Sequence, residues 1–205
     1  MLRRWGGWID GVANARRVVE ARWCVVVSAQ ATLGGPLRYR ATEGDASMRA
    51  ATLSPEHHDA LSILLACLDD AKVWYRISGG LAGIIHGSKW PLHDIDVDVC
   101  AAEWPRVLAA LAEFIDTLPR HYEDDEFRLV LANATIEGIS VDISQLEDAY
   151  GRQDGRWVPL PADPSRRELH AWSDFAIWAI PLEDLIAYKT LIGRTADLRE
   201  LRRLQ

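Results

Sequence analysis

Three aspartates occupy alternate positions in the stretch Asp94-Ile95-Asp96-Val97-Asp98-Val99. Side chains two apart on an extended strand face the same way, and with a rise of about 3.3–3.4 Å per residue Asp94 and Asp96 stand roughly 7 Å apart at Cα. At that spacing both carboxylates can ligate one cation or a pair of metal ions. Aspartate is disfavoured in strands, and neighbouring like charges repel unless a divalent cation neutralises them. The structural alternative is a solvated outer face with Ile95, Val97 and Val99 packed inward. A second feature favours the chemical reading. Gly79-Gly80 follows a short apolar segment, with 13 residues between Gly80 and Asp94. Glycines between a strand and a helix let backbone amides approach a phosphate, and the helix N-terminus adds a favourable dipole. The hydroxyls of Ser78 and Ser88 are further single donors.

These groups need a frame. Ser54-Pro55-Glu56 is a helix start, a capping residue followed by proline at the first helical position. Leu61, Leu64, Leu65 and Leu68 continue it with helical spacing to about Lys72. A strand is predicted over 73–78, a short helix over 81–86, a half-buried strand over 94–99 and a helix over 104–118, with Val107, Leu108, Leu111, Phe114 and Ile115 on one face. Strands over 127–131 and 139–144 flank a turn at Glu137-Gly138. Residues 148–167 read as an excursion loop, 175–180 as a last strand ended by Pro181, and 182–192 and 195–204 as helices. In the segment Ile139-Ser-Val-Asp-Ile-Ser144 the alternation sets Asp142 opposite the apolar face.

Composition narrows the function class. The chain has 205 residues, a net charge of −7 and an ordinary apolar share, which fits one soluble domain and argues against a general nucleic-acid coat. No apolar run is long enough for a membrane span. Cys24, Cys67 and Cys100 are widely spaced and odd in number, as expected of reduced thiols in a cytoplasmic protein. Residues 1–47 carry seven arginines against four acids, so the remainder holds a net −10. The expectation is a loosely ordered extension over 1–47, with Met48 a candidate start, and a folded domain over 48–205. Lysine occurs only at Lys72, Lys89 and Lys189. Lys89, in the loop before the aspartates, can reach a phosphate or remain a surface charge.

Gly79-Gly80, about a dozen residues, then Asp94-Ile95-Asp96 resembles the signature of the DNA polymerase beta-like nucleotidyltransferase superfamily. The tail from Pro181 through Lys189, Arg194 and Asp197 to Arg199 is similar to the C-terminal helices of its small bacterial members, among them antibiotic nucleotidyltransferases and abortive-infection toxins. The likeness spans about residues 73–204. Where many relatives carry arginine and threonine ahead of the aspartate pair, this chain has Lys89-Trp-Pro-Leu. The resemblance implies an α+β nucleotidyltransferase fold, a mixed and mainly antiparallel sheet flanked by helices, with helices at the C-terminus. It also implies Mg2+ held by Asp94, Asp96 and Asp142, the last on a neighbouring antiparallel strand. Asp142 is further implied as the acceptor of a hydroxyl proton. Ser78, Gly79, Gly80, Lys89 and Lys189 are the expected nucleotide contacts, Lys189 corresponding to a helical lysine that neutralises triphosphate oxygens. The implied reaction moves a nucleoside monophosphate from an NTP to an acceptor hydroxyl, on a tRNA end or a small molecule, and releases pyrophosphate. Toxin-type relatives imply a small antitoxin as a candidate partner. The alternative is an inert nucleotide-binding or protein-interaction module of the same fold.

Overall fold

The alternation around the aspartates is where the fold is organised. In strand β2 (Ile95–Val99), Ile95, Val97 and Val99 are at most 1% exposed in the core, while Asp96 and Asp98 face the other side, half-buried. The structure, a computed structural model, describes residues 53–205. The extension expected over 1–47, and Cys24 within it, lie outside the described residues.

Helix α1 (Pro55–Asp70) begins as the capping pattern predicts, with Ser54 Oγ accepting the His57 amide at 3.3 Å and proline in the first turn. Its Ala60, Leu61, Leu64, Leu65 and Leu68 are buried, and that stripe covers the apolar face of the sheet. The chain then forms β1 (Tyr75–Ile77), α2 (Gly79–Ile85) and β2, a single turn of 3-10 helix at Ala101–Glu103, and α3 (Trp104–Ala110). There follow β3 (Ile115–Glu123), β4 (Phe127–Ile136), β5 (Ile139–Gln145), β6 (Tyr150–Gln153), β7 (Arg156–Pro159), β8 (Glu168–Trp172) and β9 (Phe175–Ala179). Two helices, α4 (Leu182–Leu191) and α5 (Thr195–Leu201), end the chain.

The nine strands of the described residues join one sheet in the order β7-β6-β4-β5-β2-β1-β9-β8, with β3 paired to β4 off that path. The pairs β2–β5 and β1–β9 are parallel and the others antiparallel. The sheet is therefore mixed and mainly antiparallel, as expected. One expectation fails: the strand bearing Asp142 runs parallel to β2, not antiparallel. The two strands are far apart in sequence, so a long connection is free to return β5 in the same direction as β2.

Three local expectations also fail, each for a readable reason. The helix predicted over 104–118 stops at Ala110, and Ile115–Glu123 is a strand whose Ile115 pairs with Ala134. β-branched Ile115 and Thr117 favour the strand and Pro119 cannot sit inside a helix. Pro119 instead falls in the register shift between Thr117 and Arg120, the kind of irregularity at which a strand tolerates proline. The loop read over 148–167 contains the β6–β7 hairpin, in which Gln153 faces Arg156 and both turn residues, Asp154 and Gly155, have positive φ. Asp-Gly at a two-residue turn is a strong hairpin signal. Strand β8 was missed because its exposed Glu168 and Leu169 break the alternation. Among the described residues no helix is long and apolar enough to cross a membrane.

Candidate active site

On the face of the sheet opposite the leucine stripe lies a cleft of about 590 Å³. It is bounded by the α2 entrance, the ends of β2, β4 and β5, and the junction of α4 and α5. Asp94, Asp96 and Asp142 all line it. Asp96 and Asp142 are directly paired in the β2–β5 register, so their Cα atoms lie on adjacent strands about 4.8 Å apart. Residues from two distant parts of the sequence thus become neighbours through strand pairing.

The glycine pair shapes the seat of Asp96. Gly79 has φ +55°, and a Cβ on it would fall 1.7 Å from Asp96 Oδ2. The next residue, Gly80, donates its N–H to the same oxygen at 3.3 Å. The second amide of α2 therefore holds a carboxylate, at the place where the glycine pair is expected to admit a phosphate. Burial and then the charge of Asp94 push the Asp96 carboxyl up to about 7; the Gly80 amide works against the rise, and Asp142 and Asp98 add to it.

Asp98 serves another purpose. Its Oδ2 accepts Arg76 Nε at 2.8 Å and its Oδ1 accepts the hydroxyls of Ser78 and Ser144, each at 3.0 Å. Arg76 is only 3% exposed and also donates to the Arg166 carbonyl. This saturated pair joins β1, β2 and β5 beneath the cleft. Removing one partner of a buried pair strands the other's charge, at a cost of about 3–5 kcal/mol. Arg76→Met is expected to destabilise the fold by that order in urea unfolding, and the combined Arg76→Met, Asp98→Leu protein to recover part of the loss. A single substitution indistinguishable from wild type would contradict this account.

The expected nucleotide contacts separate into groups. Gly79 and Gly80 line the cleft, and so does Ser78, but the one hydroxyl proton of Ser78 goes to Asp98. Lys89 is exposed and is not part of the cleft lining; its backbone N–H meets Glu200 at the far side of the loop. Lys189 is buried and lines the cleft, with Nζ 2.8 Å from Asp197 Oδ2. Nζ also stands 5.7 Å from the ring centres of Trp90 and Tyr188. Ser88 is buried and not part of the lining.

Two site residues escaped the sequence reading. Asn133 donates its amide to Asp142 Oδ1 at 2.8 Å, while its own Oδ1 accepts Thr117 Oγ1 at 2.8 Å. It lies in the part of β4 beyond the predicted strand end, so no local pattern pointed to it. Tyr188 lines the cleft half-buried beside the carboxylates, and burial, then Asp96 and Asp98, push its phenol well above the usual range. Tyr188 lies in the helix predicted over 182–192, but nothing in sequence placed it near aspartates.

The electrostatic balance of the cleft is negative. Among the described residues eight carboxylates line it against three bases, Arg76, Lys189 and Arg194. Each base already pairs with a carboxylate: Asp98, Asp197 and Glu126 respectively. Asp94, Asp96 and Asp142 have no ion-pair partner among these bases. An all-carboxylate, all-oxygen set is the donor chemistry of a hard divalent cation. Among the described residues no three His, Cys, Asp or Glu side chains are closed around a common cation position. Instead Asp96 is turned to the Gly80 amide and Asp142 to Asn133.

Among solved structures, the chain is similar to a Thermotoga maritima protein proposed to be a nucleotidyltransferase. The TM-score is 0.61 and the identity 21%, over 74% of this chain and 94% of that one. Two structures of the antibiotic-resistance factor ANT(2'')-Ia also match, one of them in complex with adenylyl-2''-tobramycin. Their TM-scores are 0.46 and 0.47 and their identities 14% and 15%, with 69% and 71% of this chain covering 84% and 80% of theirs. No family model and no curated protein matches the sequence. The first likeness establishes that the chain has the nucleotidyltransferase fold; at that identity it speaks for the fold alone.

Proposed function

We propose that this chain, having the nucleotidyltransferase fold, is a Mg2+-dependent nucleotidyltransferase that moves a nucleoside monophosphate from an NTP to an acceptor hydroxyl. The observation that carries the proposal is the direct pairing of Asp96 with Asp142 across two parallel strands, at the edge of a cleft entered by the Gly79-Gly80 turn. A half-buried carboxylate raised to about 7, by burial first and then by the charge of Asp94, favours a functional site over an inert module.

Magnesium, when bound, would neutralise the carboxylates and the triphosphate oxygens. The residues to hold it are Asp94, Asp96 and Asp142. Asp142 has one oxygen fixed by Asn133, which leaves the other to take the proton of the acceptor hydroxyl. The side-chain-free wall at Gly79 and Gly80 lets a phosphate approach the backbone. Lys189, oriented by Asp197, contributes positive charge toward the triphosphate. The favoured acceptor is a small hydroxylated molecule that carries positive charge, because the acidic lining repels a phosphate backbone. A tRNA end is the second acceptor to test, since Arg199, Arg202 and Arg203 are exposed on and just after α5.

Incubation with each labelled NTP and Mg2+, against an aminoglycoside panel and against total tRNA, tests the reading. Transfer of label to one acceptor, lost on chelation of Mg2+, is expected. Failure of the protein to bind any NTP in the presence of Mg2+ would leave the inert module as the reading.

A further inference from the structure

The three bases of the cleft are not equivalent. Arg76 is sealed beneath the carboxylates by Asp98 and the Arg166 carbonyl. Lys189 is paired at a site where its side chain is 8% exposed. Arg194, between α4 and α5, is different. Its side chain is 48% exposed and, among the described residues, its one ion-pair partner is Glu126, 39% exposed, at the turn between β3 and β4. Both residues line the cleft, from opposite strand and helix elements.

An exposed arginine–carboxylate pair contributes little to stability, about 0–1 kcal/mol, so exchange of its partner is cheap. A buried pair cannot exchange on those terms, because separating it leaves a charge without water. The guanidinium is also the group best matched to phosphate oxygens, presenting donors in a planar fork. Tyr188, Asp197 and Asp124 are other titratable groups facing Arg194, and none of them forms an ion pair with it.

We propose that Arg194 is the exchangeable triphosphate-binding cation of this site and that Glu126 is its placeholder, surrendering the guanidinium when a nucleotide enters. The inference rests on the nucleotidyltransferase reading above and deepens it. Glu126 thereby becomes a competitor of the nucleotide: its carboxylate and the triphosphate share one partner. The pair also lies across the cleft between the β3–β4 turn and the α4–α5 junction, so nucleotide entry and opening of this contact are the same event.

Competition makes a prediction that a purely structural clamp does not. Removing either partner of a clamp has the same effect; removing a ligand and removing its competitor have opposite effects. Calorimetric titration of the full chain with MgATP, MgGTP, MgCTP and MgUTP, and with the four nucleoside monophosphates, reads this directly. Arg194→Gln is expected to weaken the bound NTP roughly tenfold, the worth of a hydrogen bond to a charged group, and to leave the monophosphate unchanged. Glu126→Gln is expected to tighten the NTP severalfold. In the exchanged pair Arg194→Glu, Glu126→Arg, the ion pair and the thermal midpoint are restored while NTP affinity stays low. Equal weakening by both single substitutions, or equal loss for NTP and monophosphate, would overturn the proposal and leave the nucleotidyltransferase reading standing. Absence of NTP binding by the wild-type chain would overturn both.

Discussion

Asp96→Asn is expected to lose nucleotidyl transfer by at least about a thousandfold, the scale at which removing a principal electrostatic group acts on a reaction, and at the same time to gain stability. The gain has a specific pH signature. In the folded chain the Asp96 carboxyl is raised from 3.8 to about 7, so between those values the native state keeps a proton that the unfolded chain has released. Stability from this group is fully present below the unfolded value, falls as pH rises toward 7, and is absent above it. Asparagine cannot ionise and does not show that fall. The difference in Tm between Asp96→Asn and wild type should therefore grow from acidic pH to about pH 7 and then level off, reaching several degrees. Mg2+ should raise the wild-type Tm above pH 7 and have little effect on the variant. A parallel pair of stability profiles, with or without Mg2+, would count against a cation-neutralised carboxylate at this position.

Gly79→Ala is expected to be nearly as damaging, through geometry instead of charge. Its backbone lies in the left-handed region at φ +55°, where a Cβ costs about 1–2 kcal/mol. That Cβ would also stand 1.7 Å from Asp96 Oδ2, so the carboxylate must leave its place and the Gly80 amide must lose its acceptor. Loss of about 2–4 kcal/mol in urea unfolding and near-complete loss of transfer are expected, combining backbone strain with overpacking and a broken hydrogen bond. Gly138→Ala is the control. It too has positive φ, at +79°, but no atom lies within 4 Å of the added methyl group. It should show the backbone cost alone and full transfer. If both variants unfold alike and both retain transfer, the close approach of Gly79 to Asp96 has no functional weight.

Much of this site was legible before any coordinates, because it rests on local periodicities. Alternation over 94–99 placed three aspartates on one face and the valines and isoleucine on the other, and burial follows that parity residue by residue. A capping serine followed by proline marked α1, and proline marked the entry to α4. Helix against strand was misread at 104–118, where an apolar run fits both periods over a few residues and pairing with β4 decided the outcome. The hairpin at Asp154-Gly155 was written in its turn residues but masked by surrounding polarity.

What sequence could not supply is everything that depends on which strands lie side by side. Asp94, just before β2, and Asp96 and Asp98 within it share one alternating pattern in sequence. The tertiary structure gives Asp98 to Arg76 and two serines, and leaves Asp96 beside Asp142. Lys89 and Lys189 were both expected nucleotide contacts; only folding buried one against Asp197 and turned the other to solvent. Asn133 and Glu126 carried no local signal at all. Hydrophobic period and turn chemistry act over a few neighbouring residues and so are readable along the chain. Ion pairs and carboxylate seats are set by through-space distances of a few ångströms between residues distant in sequence, and those distances exist only once the sheet has formed.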